Sequence, residues 1–161
     1  MHAYALEYLF DRLRTAKNVL DVGSGTGYLT AAMAYLIPPQ AKVYGIEHVP
    51  ELVKLSIQNI HKGNPDLFKE GRIEIKEGDG REGWPDKGIK FDVIHVGAAA
   101  AKMPQGLVDQ LAEGGRMVIP VGGEHAMQSF KEVNKIDGVV KEKDVLSVRY
   151  VPLTDLKHQL L

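Results

Sequence analysis

Cysteine is absent from the 161 residues, which excludes disulfides and cysteine nucleophiles and is compatible with a reducing compartment. Net charge is nearly absent too. Twenty Lys and Arg against 21 Asp and Glu leave −1, so no basic field exists to hold nucleic acid or an anionic membrane surface. No run approaches the ~18 apolar residues of a membrane span, and the amino end carries Glu7 and Asp11 within an amphipathic pattern, unlike a secretory signal. A soluble, cytoplasmic monomer with no nucleic-acid and no membrane partner is expected. Repeats, linkers and low-complexity tracts are also missing, and the length suits one domain over residues 1–161 rather than two.

Several chemistries fall away for want of their spacing. The six histidines, His2, His48, His61, His95, His125 and His158, form no i, i+4 pair and no other metal-ligand pattern, so no metal site is expected. His95, on an apolar strand, reads as a satisfied buried residue rather than a base. Ser24 lies in Gly23-Ser24-Gly25 and not in the G-x-S-x-G elbow of a hydrolase nucleophile. No Lys-Ser or Lys-Thr pair follows the glycines, so the phosphate-cradling loop is excluded, and Tyr28 stands where a dinucleotide fingerprint needs its third glycine.

What is present centres on residues 18–28, an apolar run that ends in Asp21 and then in three alternating glycines, Gly23, Gly25 and Gly27. Val19, Leu20 and Val22 suit a buried parallel strand, and the glycines permit φ > 0 and let a ligand approach bare backbone. Glu47 closes the next apolar run, about the ~20 residues downstream at which an acid grips ribose hydroxyls. With pyrophosphate disfavoured, an adenosine without phosphates remains, as in S-adenosylmethionine, whose sulfonium and ammonium groups are compatible with Asp21 beside the loop.

Strand and helix then alternate. Residues 3–14 carry a helical stripe of Ala3, Leu6, Phe10 and Leu13, and residues 29–36 form the first crossover helix, ended by Pro38-Pro39. Residues 42–47 are a second strand and Pro50 opens a helix. A turn at 64–66 precedes a third strand at 72–76. Gly78-Asp79-Gly80 closes that strand, Asp79 being either a turn residue or a third acid at the ligand crevice, where strand ends should bring Asp21, Glu47 and Asp79 together. Residues 91–96 are a fourth strand, followed by small residues that wall either a ligand or a helix. A helix over Leu107, Val108 and Leu111, stopped by Gly114-Gly115, leads to a fifth strand at 117–121. Residues 129–134 and 145–153 form a terminal hairpin around Gly138. The fold expected is α/β, doubly wound, with a mostly parallel sheet and a C-terminal antiparallel strand pair.

The residues met in this order resemble the catalytic domain of protein-L-isoaspartate (D-aspartate) O-methyltransferases. The likeness runs from Met1-His2-Ala3-Tyr4-Ala5-Leu6-Glu7 through the glycine loop, Gly78-Asp79-Gly80-Arg81, His95-Val96-Gly97-Ala98-Ala99-Ala100 and Gly114-Gly115-Arg116 to Tyr150-Val151-Pro152-Leu153-Thr154. The glycine loop is common to many methyltransferases, whereas the His95 and Tyr150 segments are particular to this family. The resemblance implies a Rossmann-like domain that binds S-adenosylmethionine and releases S-adenosylhomocysteine. It implies methyl transfer to the free carboxylate of L-isoaspartyl and D-aspartyl residues in damaged peptides and proteins, for repair. It implies that backbone around Ser24 and Thr26 contacts the cofactor, that Glu47 takes the ribose hydroxyls, that His48 borders the adenine, that Asp79 and Gly80 hold its edge, and that His2, Thr154 and Gln159 line the cofactor. Relatives carry a further amino-terminal segment with Asp-Arg-x-x-Tyr and Thr-Ile-Ser-x-Pro-His, so this chain is expected to be truncated there. The family's hydroxyl nearest the transferred methyl belongs to that stretch, and no catalytic residue is carried onto this sequence. The alternative is a cofactor-binding core without turnover.

Overall fold

The computed structural model describes residues 1–123 and 126–159, the side chains of 158 and 159 excepted. Its elements are α1 (His2–Leu13), β1 (Asn18–Val22), α2 (Tyr28–Leu36), β2 (Lys42–Glu47), α3 (Pro50–Gly63), α4 (Asp66–Lys69), β3 (Ile73–Glu77), a 3-10 turn (Gly80–Glu82), β4 (Phe91–Val96), α5 (Gln105–Gln110), β5 (Leu111–Val121), β6 (Gln128–Ile136), β7 (Val139–Val148) and α6 (Leu156–Gln159). The sheet order is β3-β2-β1-β4-β5-β6-β7, parallel through β5 and antiparallel in the last two pairings. This is the doubly wound sheet with a terminal hairpin that the strand spacing predicts.

Strands buried on both faces send alternate side chains to two cores. Val19, Val43, Val93 and Val118 join Leu9 and Leu13 of α1, Leu29 and Met33 of α2 and Ile60 of α3. Leu20, Tyr44, Ile46, Ile94 and Met117 point the other way, onto Trp84, Phe91, Leu107 and Leu111. Buried Gln110 fastens that second layer: its Oε1 accepts from Trp84 N at 2.7 Å, and its Nε2 donates to the carbonyls of Trp84 and Asp86 at 3.0 and 3.1 Å.

Four features differ from what the sequence predicts. Helix α1 buries Leu13 of the expected stripe and packs Leu6 against the core, but its other buried residues are Ala5 and Leu9, and Phe10 is 44% exposed. Leu9 and Leu13 at i, i+4 fit between β4 and α2, while Phe10 lies beneath the Arg14 guanidinium, 5.8 Å from its ring centroid. Strand β5 starts at Leu111, six residues before Met117: the Gly114-Gly115 pair is an irregularity within the strand, where the register with β4 jumps from Phe91↔Leu111 to Val93↔Arg116. Strand β7 occupies Val139–Val148, not 145–153. Its first half is charged, and Lys131 of β6 binds Glu142 and Asp144 across the ladder at 3.3 and 2.9 Å. Residues 149–154 leave the sheet and cross the strand ends, held by Ala99 N donating to the Val151 carbonyl and Leu153 N to that of Ala99, both at 2.8 Å. The turn at 64–66 continues into the short helix α4, which its single Pro-Asp signal did not reveal.

Candidate functional site

Strand order reverses between β1 and β4, since β1 hands the chain outward to β2 while β4 lies on its other side. At such a point the loops above the strands diverge and leave a crevice. Gly23, Gly25 and Gly27 take φ of +76°, +53° and +84° there, which lets the loop reverse tightly and enter α2. Three adjoining compartments follow the edge. One of about 340 Å³ is lined by Asp21, Ser24, Thr26, His95 and Arg149, with His2 and Tyr28 at its mouth. The next, about 210 Å³, holds Glu47, His48, Gly80, Ala98 and Thr154, and shares Gly23, Gly25, Gly97 and Val151 with the first. The third, about 230 Å³, contains His48, Glu77, Asp79 and Asp155.

The three acids therefore lie along one crevice, each in its own compartment. Asp21, 1% exposed, is paired in register with His95 on β4; its Oδ1 lies 2.9 Å from His95 Nδ1 and its Oδ2 accepts from Thr30 Oγ1 at 2.6 Å. A buried carboxyl group needs hydrogen-bond partners, and two are supplied. Glu47 Oε2 accepts from Gly25 N at 3.0 Å, and Oε1 from His48 N and Val49 N at 2.9 and 3.1 Å. It thus ties the glycine loop to the end of β2. Asp79 caps the 3-10 turn through Arg81 N, and the Arg81 guanidinium, 2.6 Å away, holds its carboxyl below the ordinary range, burial working the other way.

The other expected positions are also placed. His2 stacks on Tyr28 with centroids 5.8 Å apart. Ser24 lines the first compartment, but its Oγ is buried over the bare Cα of Gly45, without a hydrogen-bond partner among the described residues. Gly80 is buried, and a Cβ there would collide with Val22. The side chain of Gln159 lies outside the described residues, so its expected role is neither placed nor displaced. Among the described residues no cluster could hold a metal ion. His95 is a satisfied buried residue, as its setting predicts, but it is also Asp21's partner; the signal was its matching place on the neighbouring parallel strand. Arg149, Val151 and Leu153 were missed because they lie on a coil that only the fold returns to the crevice.

The bare loop and the spare acceptor position on Glu47 fit an uncharged nucleoside. A family model, protein-L-isoaspartate(D-aspartate) O-methyltransferase, matches residues 1–158. The Caenorhabditis elegans protein-L-isoaspartate O-methyltransferase is 48% identical over 99% of this chain and 70% of its own length. Arabidopsis thaliana protein-L-isoaspartate O-methyltransferase 1 is 49% identical over 99% and 69%. A Plasmodium falciparum structure described as this enzyme, in complex with S-adenosyl-L-homocysteine, superposes with a TM-score of 0.88 at 35% identity, covering 96% of this chain and 73% of that one. A Bacillus cereus O-methyltransferase shares the fold alone, at 17% identity and a TM-score of 0.61 over 74% of this chain and 55% of its own. Matched along nearly its whole length and close to half identical to such relatives, the chain belongs to the protein-L-isoaspartate(D-aspartate) O-methyltransferase family.

Proposed function

We propose that this protein binds S-adenosylmethionine along the crevice and methylates the free carboxylate of L-isoaspartyl and D-aspartyl residues in damaged proteins, the first step of their repair. The observation that carries the reading is the row of neighbouring compartments that holds Asp21, Glu47 and Asp79 at the sheet's switch point, in a chain of this family. The cofactor, when bound, supplies a methyl group activated by a sulfonium. Glu47 and Thr154 would hold the ribose side, His48, Asp79 and Gly80 the adenine, and Asp21, Ser24, Thr26 and His2 the amino-acid end, with Gln159 closing over it. The acceptor carboxylate is ionised at neutral pH, so no side chain has to remove a proton. The chain's task is alignment, which can supply up to ~7–11 kcal/mol, and exclusion of water. Because both reacting charges diminish toward the transition state, a site less polar than water favours transfer.

A second reading, a cofactor-binding core without turnover, draws on the open mouth of the first compartment, where Tyr28 is 67% exposed. One assay separates the two: transfer of labelled methyl to a peptide containing L-isoaspartate, beside its aspartyl twin and calorimetric binding of S-adenosylhomocysteine. Labelling of the isoaspartyl peptide supports repair methylation, binding without labelling supports the core, and neither removes both. Monomeric action in the cytoplasm belongs to the same reading; light scattering tests the monomer and fractionation the compartment. No helix among the described residues is long and apolar enough to cross a membrane.

A further inference from the structure

We infer that Arg149 forms a carboxylate subsite at the rim of the first compartment and holds the acceptor's free carboxylate; the inference rests on the methyl-transfer reading above. The compartment's ionisable lining is Asp21, His95, His2 and Arg149, together with the chain's amino terminus at Met1 and the hydroxyls of Tyr28 and Tyr150. Its negative charge is deep and already engaged: Asp21 is 1% exposed, with one oxygen on Thr30 and the other on His95. An anionic acceptor entering there meets that buried charge and needs a cation near the mouth. Arg149 is the one guanidinium or ammonium side chain in the lining. It is exposed, and it makes no hydrogen bond or ion pair among the described residues, whereas Arg72, Arg81 and Arg116 are all engaged.

The backbone that carries this cation is held on both sides although its head is free. On one side, Val148 pairs with Gln128 at the end of β7. On the other, the buried Gln128 amide clamps Tyr150, accepting from its N–H at 2.6 Å and donating to its carbonyl at 3.2 Å. The Val151 carbonyl is then bound by Ala99 N. Arg149 therefore projects from a backbone held at both neighbours, and only its side chain has to order on binding. A guanidinium can take one carboxylate oxygen and leave the other free for attack. The subsite reads a carboxylate of any origin, and discrimination of isoaspartate from aspartate falls to the backbone flanking it.

The test compares wild-type protein with Arg149→Met and Arg149→Lys, measuring kcat and KM for an isoaspartyl peptide and calorimetric affinity for S-adenosylhomocysteine. Arg149→Met raises KM about ten- to hundredfold, the effect of one lost charge-assisted hydrogen bond, while cofactor affinity stays within about twofold. Arg149→Lys restores part of the loss. Wild-type protein loaded with S-adenosylhomocysteine binds the free-carboxylate peptide at least about tenfold better than its carboxamide analogue, and Arg149→Met abolishes that preference. Unchanged KM in Arg149→Met, a parallel loss of cofactor affinity, or a preserved preference for the carboxylate overturns the subsite while wild-type turnover stands. A wild-type protein that binds the cofactor product but neither methylates nor binds the peptide overturns the functional reading, and this inference with it.

Discussion

Replacing Glu47 with Gln keeps the shape of the side chain and removes its charge, which makes it a sharp probe of the crevice. Glu47 is 7% exposed and accepts from the backbone N–H groups of Gly25, His48 and Val49. A carboxylate has about four acceptor positions, so the three bonds leave one, on Oε2. In the Gln variant the NH2 group must face either His48 and Val49 or Gly25. The second arrangement sacrifices one backbone bond instead of two, and it turns a donor toward the open acceptor position. The free protein should then lose about 1.5–3 kcal/mol, one hydrogen bond to a charged group. Affinity for S-adenosylhomocysteine should fall at least about tenfold, because the remaining amide can contact a ribose hydroxyl only without charge assistance. Urea unfolding reads the first quantity and calorimetry the second. A folded Glu47→Gln protein that binds S-adenosylhomocysteine as wild type does would refute the assignment of Glu47 to the ligand and leave it a loop brace.

Asp79→Ala should weaken S-adenosylhomocysteine binding by a factor of about ten to a hundred, the span of one charge-assisted bond, as read by calorimetry. Gly80→Ala should lower stability by about 1–3 kcal/mol, because the added methyl meets Val22 inside the sheet; thermal unfolding measures it. Gln110→Ala strips partners from both polar backbone atoms of Trp84 and should lower stability by about 2–5 kcal/mol, with a red shift in the emission of the chain's one tryptophan. Tyr8, whose hydroxyl donates to Glu132, has its pKa raised from 10.0 to about 12, first by burial and then by that carboxylate. A raised folded-state value favours the protonated form, so the stabilisation is complete below pH 10 and is lost as pH climbs toward 12. The stability gap between wild type and Tyr8→Phe should narrow across that window, and a constant gap would sink the argument.

Much of the architecture was legible because β1, β2 and β4 are short apolar runs ended by an acid or a glycine, which have few alternatives in water, and because β3 alternates Ile73-Glu74-Ile75-Lys76. Asp21, Glu47 and Asp79 were readable as strand-end acids for the same reason. What the sequence hid were features whose cause is tertiary. The first half of β7 reads as a solvated charge run, Lys141 to Asp144, because Lys131, the cross-strand partner of Glu142 and Asp144, lies on the preceding strand. The glycine pair before Arg116 punctuates a helix in one dimension and deforms a strand in three. Nothing near Asp21 in the sequence names His95 as its partner; only the parallel register of β1 and β4 sets them side by side.

The terminal hairpin also fixes the parity of the chain. After β5, two reversals of direction return the polypeptide to the pole it had just left, so residues 149–154 arrive above the glycine loop, and a single reversal would have stranded them at the far pole. The Asp137-Gly138 bend, both residues at positive φ, sits at that far pole and is the natural place to graft a reporter. A single residue inserted into β7 is another matter: alternation would swing Arg149 to the opposite side of the ribbon and turn the tail's contacts inside out.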